Sequence, residues 1–303
     1  MKIGLFDIDS KIGNLALMKL STYHKRLGDE VEFYDPFFYK EYDRVYVSKI
    51  FFYEHPNDKY IKNWMIKGGT GLDIYAKLPY NVEHIYPDYD LYGIDYAMGF
   101  ITRGCIRNCS FCVVPKKEGM VRKNADYTEF TKEQENVMLM DNNILAYKNH
   151  LEELEKLKWE NTHKHFDFNQ GLDIRLINNE NARALREIKI WKGKYRFSMD
   201  HPNMEKIFEK KIKILNDAGI SNGILRVFLL VGYDTTPEED MKRIQFLKER
   251  KIKAFVMPFN KFDKYQSRLA RWVNRFYYGY ISFEEFCDNF TKADLKFVND
   301  MEL

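Results

Sequence analysis

Apolar residues open the chain as a short run over residues 2–8 and recur at helical spacing over 14–27 (Leu17, Leu20, Tyr23, Leu27), then alternate with polar ones over 30–34. Those three periods predict strand, helix and strand, a βαβ opening. Residues 43–50 supply a further strand. The run Lys67-Gly-Gly-Thr-Gly71 predicts a glycine turn, where backbone can approach a ligand or simply reverse. From Tyr96 the alternation continues, with strands expected at 96–102, 136–140, 165–168, 195–199, 225–231 and 253–257. Helical segments at 204–218 and 237–250 lie between them, the second opened by Thr235 or Thr236 before Pro237. Residues 264–277 read as a helix with Leu269, Trp272, Val273 and Phe276 on one face and Arg268, Arg271 and Arg275 on another.

Strands alternating with helices give an α/β chain: a small Rossmann-like N-terminal domain (1–92), a partial (β/α)6 TIM-type barrel (93–260) and a C-terminal helical segment (261–303). The length of 303 residues and 45% hydrophobic content suit one or two domains with a good core. No run of eighteen apolar residues and no charged-then-apolar leader is present, so the expectation is a cytoplasmic protein without a membrane partner. A net charge of +3 is too small to argue for nucleic acid by itself. Aromatic residues make up 16% of the chain, read as core and pocket walls.

Three of the four cysteines, Cys105, Cys109 and Cys112, sit in Thr-Arg-Gly-Cys-Ile-Arg-Asn-Cys-Ser-Phe-Cys with C-x3-C-x2-C spacing. A structural zinc site would need a fourth ligand, usually as a second pair or as histidines at short spacing. Cys287 is far along the chain, and the nearest histidines are His84 and His150. Four cysteines in a chain of this length with no apparent leader do not read as a disulfide framework. Clustered thiolates point to iron and sulfur, and three of them leave one iron of a four-iron cube open to another ligand.

The loop resembles the signature of the radical S-adenosylmethionine superfamily, with the aromatic Phe111 before the last cysteine. That resemblance implies that Cys105, Cys109 and Cys112 bind three irons of a [4Fe-4S] cluster and that S-adenosylmethionine chelates the fourth. The reduced cluster would pass an electron to the sulfonium, giving methionine and a 5′-deoxyadenosyl radical that abstracts hydrogen from the substrate. Phe111 would lie near the adenine. Asp141-Asn142-Asn143 stands where the superfamily often has Gly-Gly-Glu, hydrogen-bonded to the cofactor's amino group, although Asp and Asn also favour helix N-caps. Arg175 would fork onto a carboxylate of cofactor or substrate, or pair with Asp173 at the surface. Ser198 would approach the cofactor, and Gly232 would end a strand whose backbone lies against adenine. Gln170, Asp173, Asp200, Arg268 and Arg271 are the candidate substrate residues. A reductant protein of flavodoxin or ferredoxin type is the implied partner.

The N-terminal domain resembles the cobalamin-binding type. Where that family often carries Asp-x-His-x-x-Gly, this chain has Asp9-Ser10-Lys11-Ile12-Gly13, which leaves cobalamin possible but not favoured. The run Cys-Ser-Phe-Cys-Val-Val-Pro-Lys-Lys-Glu-Gly resembles the methylthiotransferases, but residues 1–104 hold none of the three further cysteines those enzymes carry, which argues against sulfur insertion. Between Lys251 and Arg275 stand seven basic residues and one acid, Asp263. That stretch reads first as a solvated face; it also supplies the alternative reading, a non-catalytic iron–sulfur protein binding nucleic acid through a basic helix, and makes RNA or a nucleotide a candidate substrate. Cys287, with Phe283, Phe286 and Phe290 at helical spacing, reads as a small buried hydrophobe.

Overall fold

The structure is a computed structural model and describes residues 1–289. It is a mixed α/β protein with parallel sheets, divided into two compact units. The first comprises Met1–Gln170 with Ile188–Trp191, and the second Gly171–Glu187 with the chain from Lys192 onward.

In the first unit, β1 (Lys2–Asp7), β2 (Glu30–Phe33), β3 (Arg44–Ser48) and β4 (Ile66–Gly68) form one parallel sheet in the order β2-β1-β3-β4. The Leu15–Arg26 helix starts where the Asn14 side chain accepts from the Leu17 N–H at 3.2 Å, and it ends on Lys25 and Arg26, cations that complement the negative end of the helix. Its Leu17 and Leu20 pack on Ile3 and Leu5 of β1, while Phe6, Ile8, Val45 and Val47 form a second cluster with Tyr34 and Tyr42. Apolar side chains thus leave β1 in both directions, as a parallel strand covered on both faces requires.

Three more strands of this unit, β5 (Ala97–Gly99), β8 (Asn136–Leu139) and β9 (His165–Phe168), make a parallel sheet in the order β5-β8-β9. Between β5 and β8 a two-stranded antiparallel stem joins β6 (Thr102–Arg103) to β7 (Arg122–Lys123). The expected strand over 96–102 is therefore two pieces, with β6 turned out of the sheet. The glycine run near 67 also begins as a strand, because Lys67 and Gly68 belong to β4. Gly69 and Gly71 are required by close packing: a Cβ on either would stand 2.2 Å from the Lys49 or the Phe51 carbonyl oxygen.

In the second unit, β10 (Tyr195–Ser198), β11 (Leu225–Val231) and β12 (Lys253–Pro258) form a parallel sheet in that order. The Glu205–Asp217, Pro237–Glu249 and Lys264–Asn274 helices follow the strands in turn. Thr236 and Glu239 make a reciprocal capping box ahead of Pro237, as the sequence indicates. The last helix buries Leu269, Trp272 and Val273 and leaves Arg268, Arg271 and Arg275 exposed. Phe276 does not continue its apolar face. The helix stops at Asn274, whose side-chain amide pairs with both the N–H and the C=O of Val256 in β12, and Phe276 follows with φ at 64°, largely exposed. Cys287 is half-buried rather than buried, beside a buried Phe286, and Phe290 lies outside the described residues. Among the described residues no helix is long and apolar enough to cross a membrane.

Candidate functional site

The cysteine loop, part of the first unit, is entered through a tightly specified neck. Gly104 has φ of 90°, and a Cβ there would come within 2.5 Å of the Met120 carbonyl oxygen, so only glycine fits. The Cys105 N–H donates to the Gly119 carbonyl at 3.1 Å, closing the loop at its base above the β6–β7 stem. Arg103 staples the same neck. Its guanidinium donates to Glu118 at 3.0 Å, Glu83 at 2.8 Å and Asn124 at 3.2 Å, and lies 3.9 Å from the centre of the Phe100 ring.

Asp141, Asn142 and Asn143 follow β8 and hold this neck from beside. The buried Asp141 carboxylate accepts from the Thr102 N–H at 2.5 Å, the Thr102 hydroxyl at 2.6 Å and the Ile101 N–H at 3.2 Å. Burial pushes its carboxyl up to about 6, against the opposing effect of these donors. Asn142 accepts from the Gly104 N–H at 3.0 Å. Asn143 donates its amide to the Cys105 sulfur at 3.3 Å, and its own Oδ1 is buried without a partner. The trio is therefore not an ordinary N-cap. Asp141 and Asn142 have their oxygens committed to the loop backbone, which leaves Asn143 as the member with an acceptor to spare.

The thiols themselves are half-buried and in no disulfide. Cys105 receives a second donor, the Arg107 N–H at 3.3 Å, and the Cys112 N–H donates to the Cys109 carbonyl at 3.0 Å. Phe111, within the loop, is 38% exposed. Among the described residues no three His, Cys, Asp or Glu side chains are gathered closely enough to hold a metal ion. The thiols share one loop but do not meet at one point.

The remaining candidates are spread over the two units. Gln170 is exposed beyond β9 in the first. In the second, Arg175 forks onto Asp173, with Nε at 2.6 Å from one carboxylate oxygen and Nη2 at 3.0 Å from the other. The pairing within the chain is the arrangement formed, and Asp173 is largely buried under it. Ser198 ends β10 and hydrogen-bonds Asp200, whose carboxyl is raised by burial while Ser198, Arg243 and Arg175 act to lower it. Gly232 has φ of 75°, and what presses on it is protein: a Cβ would stand 2.1 Å from the Gln266 amide nitrogen. Its N–H donates to the Thr235 hydroxyl at 3.2 Å.

Sequence reasoning passed over the groups that fix these strand ends. Arg243, fully buried, donates to the Met199 carbonyl at 2.7 Å, the Leu230 carbonyl at 2.9 Å and Asp240 at 2.5 Å. The signal was an acid and an arginine three apart on the helix face that also carries Ile244 and Leu247. No family model and no curated protein matches this chain.

Proposed function

We propose that the protein is a radical S-adenosylmethionine enzyme, whose cysteine loop binds a [4Fe-4S] cluster through Cys105, Cys109 and Cys112. The observation that carries this reading is the loop's construction: three half-buried thiols in no disulfide at C-x3-C-x2-C spacing, in a loop clamped at its base, with two N–H donors on the Cys105 sulfur. Hydrogen bonds to sulfur favour the thiolate that ligates iron and are among the factors that set a cluster's potential. Thiolates that each hold a different iron need not converge on a point, as ligands of a single ion must.

The bound cluster and S-adenosylmethionine supply reductive cleavage of the sulfonium, with the electron drawn from a flavodoxin- or ferredoxin-type protein. The chain's own contributions are positional. Asp141 and Asn142 fix the loop neck, Asn143 offers its unpartnered buried oxygen to the cofactor's ammonium, and Phe111 offers its exposed ring to the adenine. The reading also makes β5, β8, β9, β10, β11 and β12 the strands of a partial (β/α)6 barrel, with Ser198 at the end of β10 and Asp200 in the loop after it. The substrate is proposed as RNA or a nucleotide, on the strength of the exposed Arg268 and Arg271 of the basic helix.

The test is anaerobic reconstitution with iron and sulfide, dithionite reduction and assay for 5′-deoxyadenosine. The expected result is its formation by the wild-type chain and its loss in Cys105→Ala, Cys109→Ala and Cys112→Ala. A full cluster complement with no 5′-deoxyadenosine, with or without RNA added, would sink the reading in favour of a non-catalytic iron–sulfur protein.

A further inference from the structure

The first unit holds a cavity of about 330 Å³ at the C-terminal ends of the β2-β1-β3-β4 strands. Strand order reverses between β1 and β3, and in open parallel sheets ligands bind outside the strand ends at such a reversal. Leu15, the first residue of the Leu15–Arg26 helix, lines the cavity, so the positive end of that helix is directed toward it. Met98, Phe100 and Met140 give it an apolar wall.

Two lysines on the lining decide its chemistry. Lys117 is half-buried and Lys77 is exposed at the cavity's edge, and neither has a hydrogen-bond or ion-pair partner. They are close enough for the charge of Lys77 to act against that of Lys117, whose ammonium is lowered mainly by burial. The acids near Lys117 are otherwise engaged: Glu118 is bound by Arg103 and Arg122, and Asp73 accepts from the Tyr75 N–H. Lys19 deeper in the cavity is held by Glu83. Two neighbouring ammonium groups without a counterion, one of them half withdrawn from water, repel each other, and an anion between them relieves that repulsion.

We propose that this cavity binds a small phosphate monoester, its dianion received by Lys77 and Lys117 and its body lying against Met98, Phe100 and Met140. A phosphate monoester carries close to two charges at neutral pH, which matches two unpaired ammonium groups better than a single carboxylate does. Lys117 stands five residues beyond Cys112, so the ligand would touch the segment that closes the cysteine loop. This proposal does not depend on the cluster, because every group it uses belongs to the protein.

Isothermal titration of the full chain, purified anaerobically with its thiols reduced and no iron added, tests it with adenosine 5′-monophosphate, ribose 5-phosphate, inorganic phosphate and adenosine. Saturable binding of at least one phosphate ester is expected, with inorganic phosphate competing and adenosine binding at least about tenfold more weakly than its monophosphate. Lys77→Met and Lys117→Met should each weaken ester binding about tenfold or more, while Lys117→Arg retains it. Unliganded Lys117→Met should also melt higher than wild type, because a half-buried charge without a counterion has been removed. No saturable binding of any phosphate probe to the folded wild type would overturn the proposal, as would binding that survives both methionine substitutions.

Discussion

Two buried ionic groups hold strand ends in this protein, one in each unit, and they do so in opposite ways. In the first, Asp141 accepts from the N–H groups of Ile101 and Thr102, at the point where the chain leaves β5 for the cysteine loop. In the second, Arg243 donates to the carbonyls of Met199 and Leu230, at the ends of β10 and β11, with Asp240 as its counterion. Arg243 is a paired charge inside a helix–sheet contact. Asp141 is an unpaired carboxylate beneath a loop that carries three thiols. The difference teaches where stability and chemistry separate. A charge satisfied by a partner makes a rigid wall, whereas one satisfied only by backbone donors makes a neck whose geometry depends on that one carboxylate.

The largest effect should come from breaking the closed pair. Arg243→Met leaves Asp240 buried without its partner, and the expected loss is about 3–5 kcal/mol in urea unfolding. Replacing both, as Asp240→Leu with Arg243→Met, should recover much of that loss, because an apolar pair of similar volume often substitutes for a buried ion pair. A double variant no more stable than the single one would show that the hydrogen bonds to Met199 and Leu230, rather than the charge pairing, hold these strand ends.

Second in size is Asp141→Ala, expected to lower stability by about 2 kcal/mol through two orphaned backbone N–H groups. Unlike Arg243→Met, it should also speed alkylation of Cys105 by iodoacetamide. Equal labelling rates in the two variants would erase the distinction drawn between wall and neck.

The Asp141 carboxyl also fixes a pH signature. Its ordinary value near 3.8 is raised to about 6 in the fold, so the folded state binds this proton more tightly than the unfolded chain. Its contribution is therefore most favourable below pH 4 and declines as pH rises from about 4 to 6, by about 3 kcal/mol at most. The stability difference between wild type and Asp141→Asn should shrink or reverse over that window and stay level above it. A pH-independent difference would place the Asp141 titration outside the window.

Smallest is Asn143→Ala, which removes one N–H from the Cys105 sulfur and should cost about 1 kcal/mol or less in stability. In reconstituted protein its readout is the cluster midpoint potential, expected to fall because hydrogen bonds to sulfur favour the more negative, reduced state. An unchanged potential would separate Asn143 from cluster tuning.

Much of the scaffold was legible because parallel strands covered on both faces are apolar runs, as Leu225–Val231 is, and because Thr236-Pro237 with Glu239 announces a helix start on its own. What stayed hidden was short or depended on distant partners. β4, β6 and β7 have two or three residues each, too few for a period to register. Asp141 reads as a cap or a cofactor ligand until Ile101 and Thr102, about forty residues earlier, are seen against it. Asp240 and Arg243, three apart on one helix, show their role only once that helix face proves buried. The cysteines were plain from spacing alone; their setting, a loop clamped by Arg103, Asp141 and Asn142, was not.

The central claim is that this loop presents a cluster with one iron left for S-adenosylmethionine. Mössbauer spectroscopy of protein reconstituted with ⁵⁷Fe, recorded with and without S-adenosylmethionine, tests it most directly. The account predicts a [4Fe-4S] spectrum in which one iron alone changes its isomer shift when S-adenosylmethionine is added. A cluster whose irons are all indifferent to S-adenosylmethionine, or a chain that takes up no cluster, would contradict it.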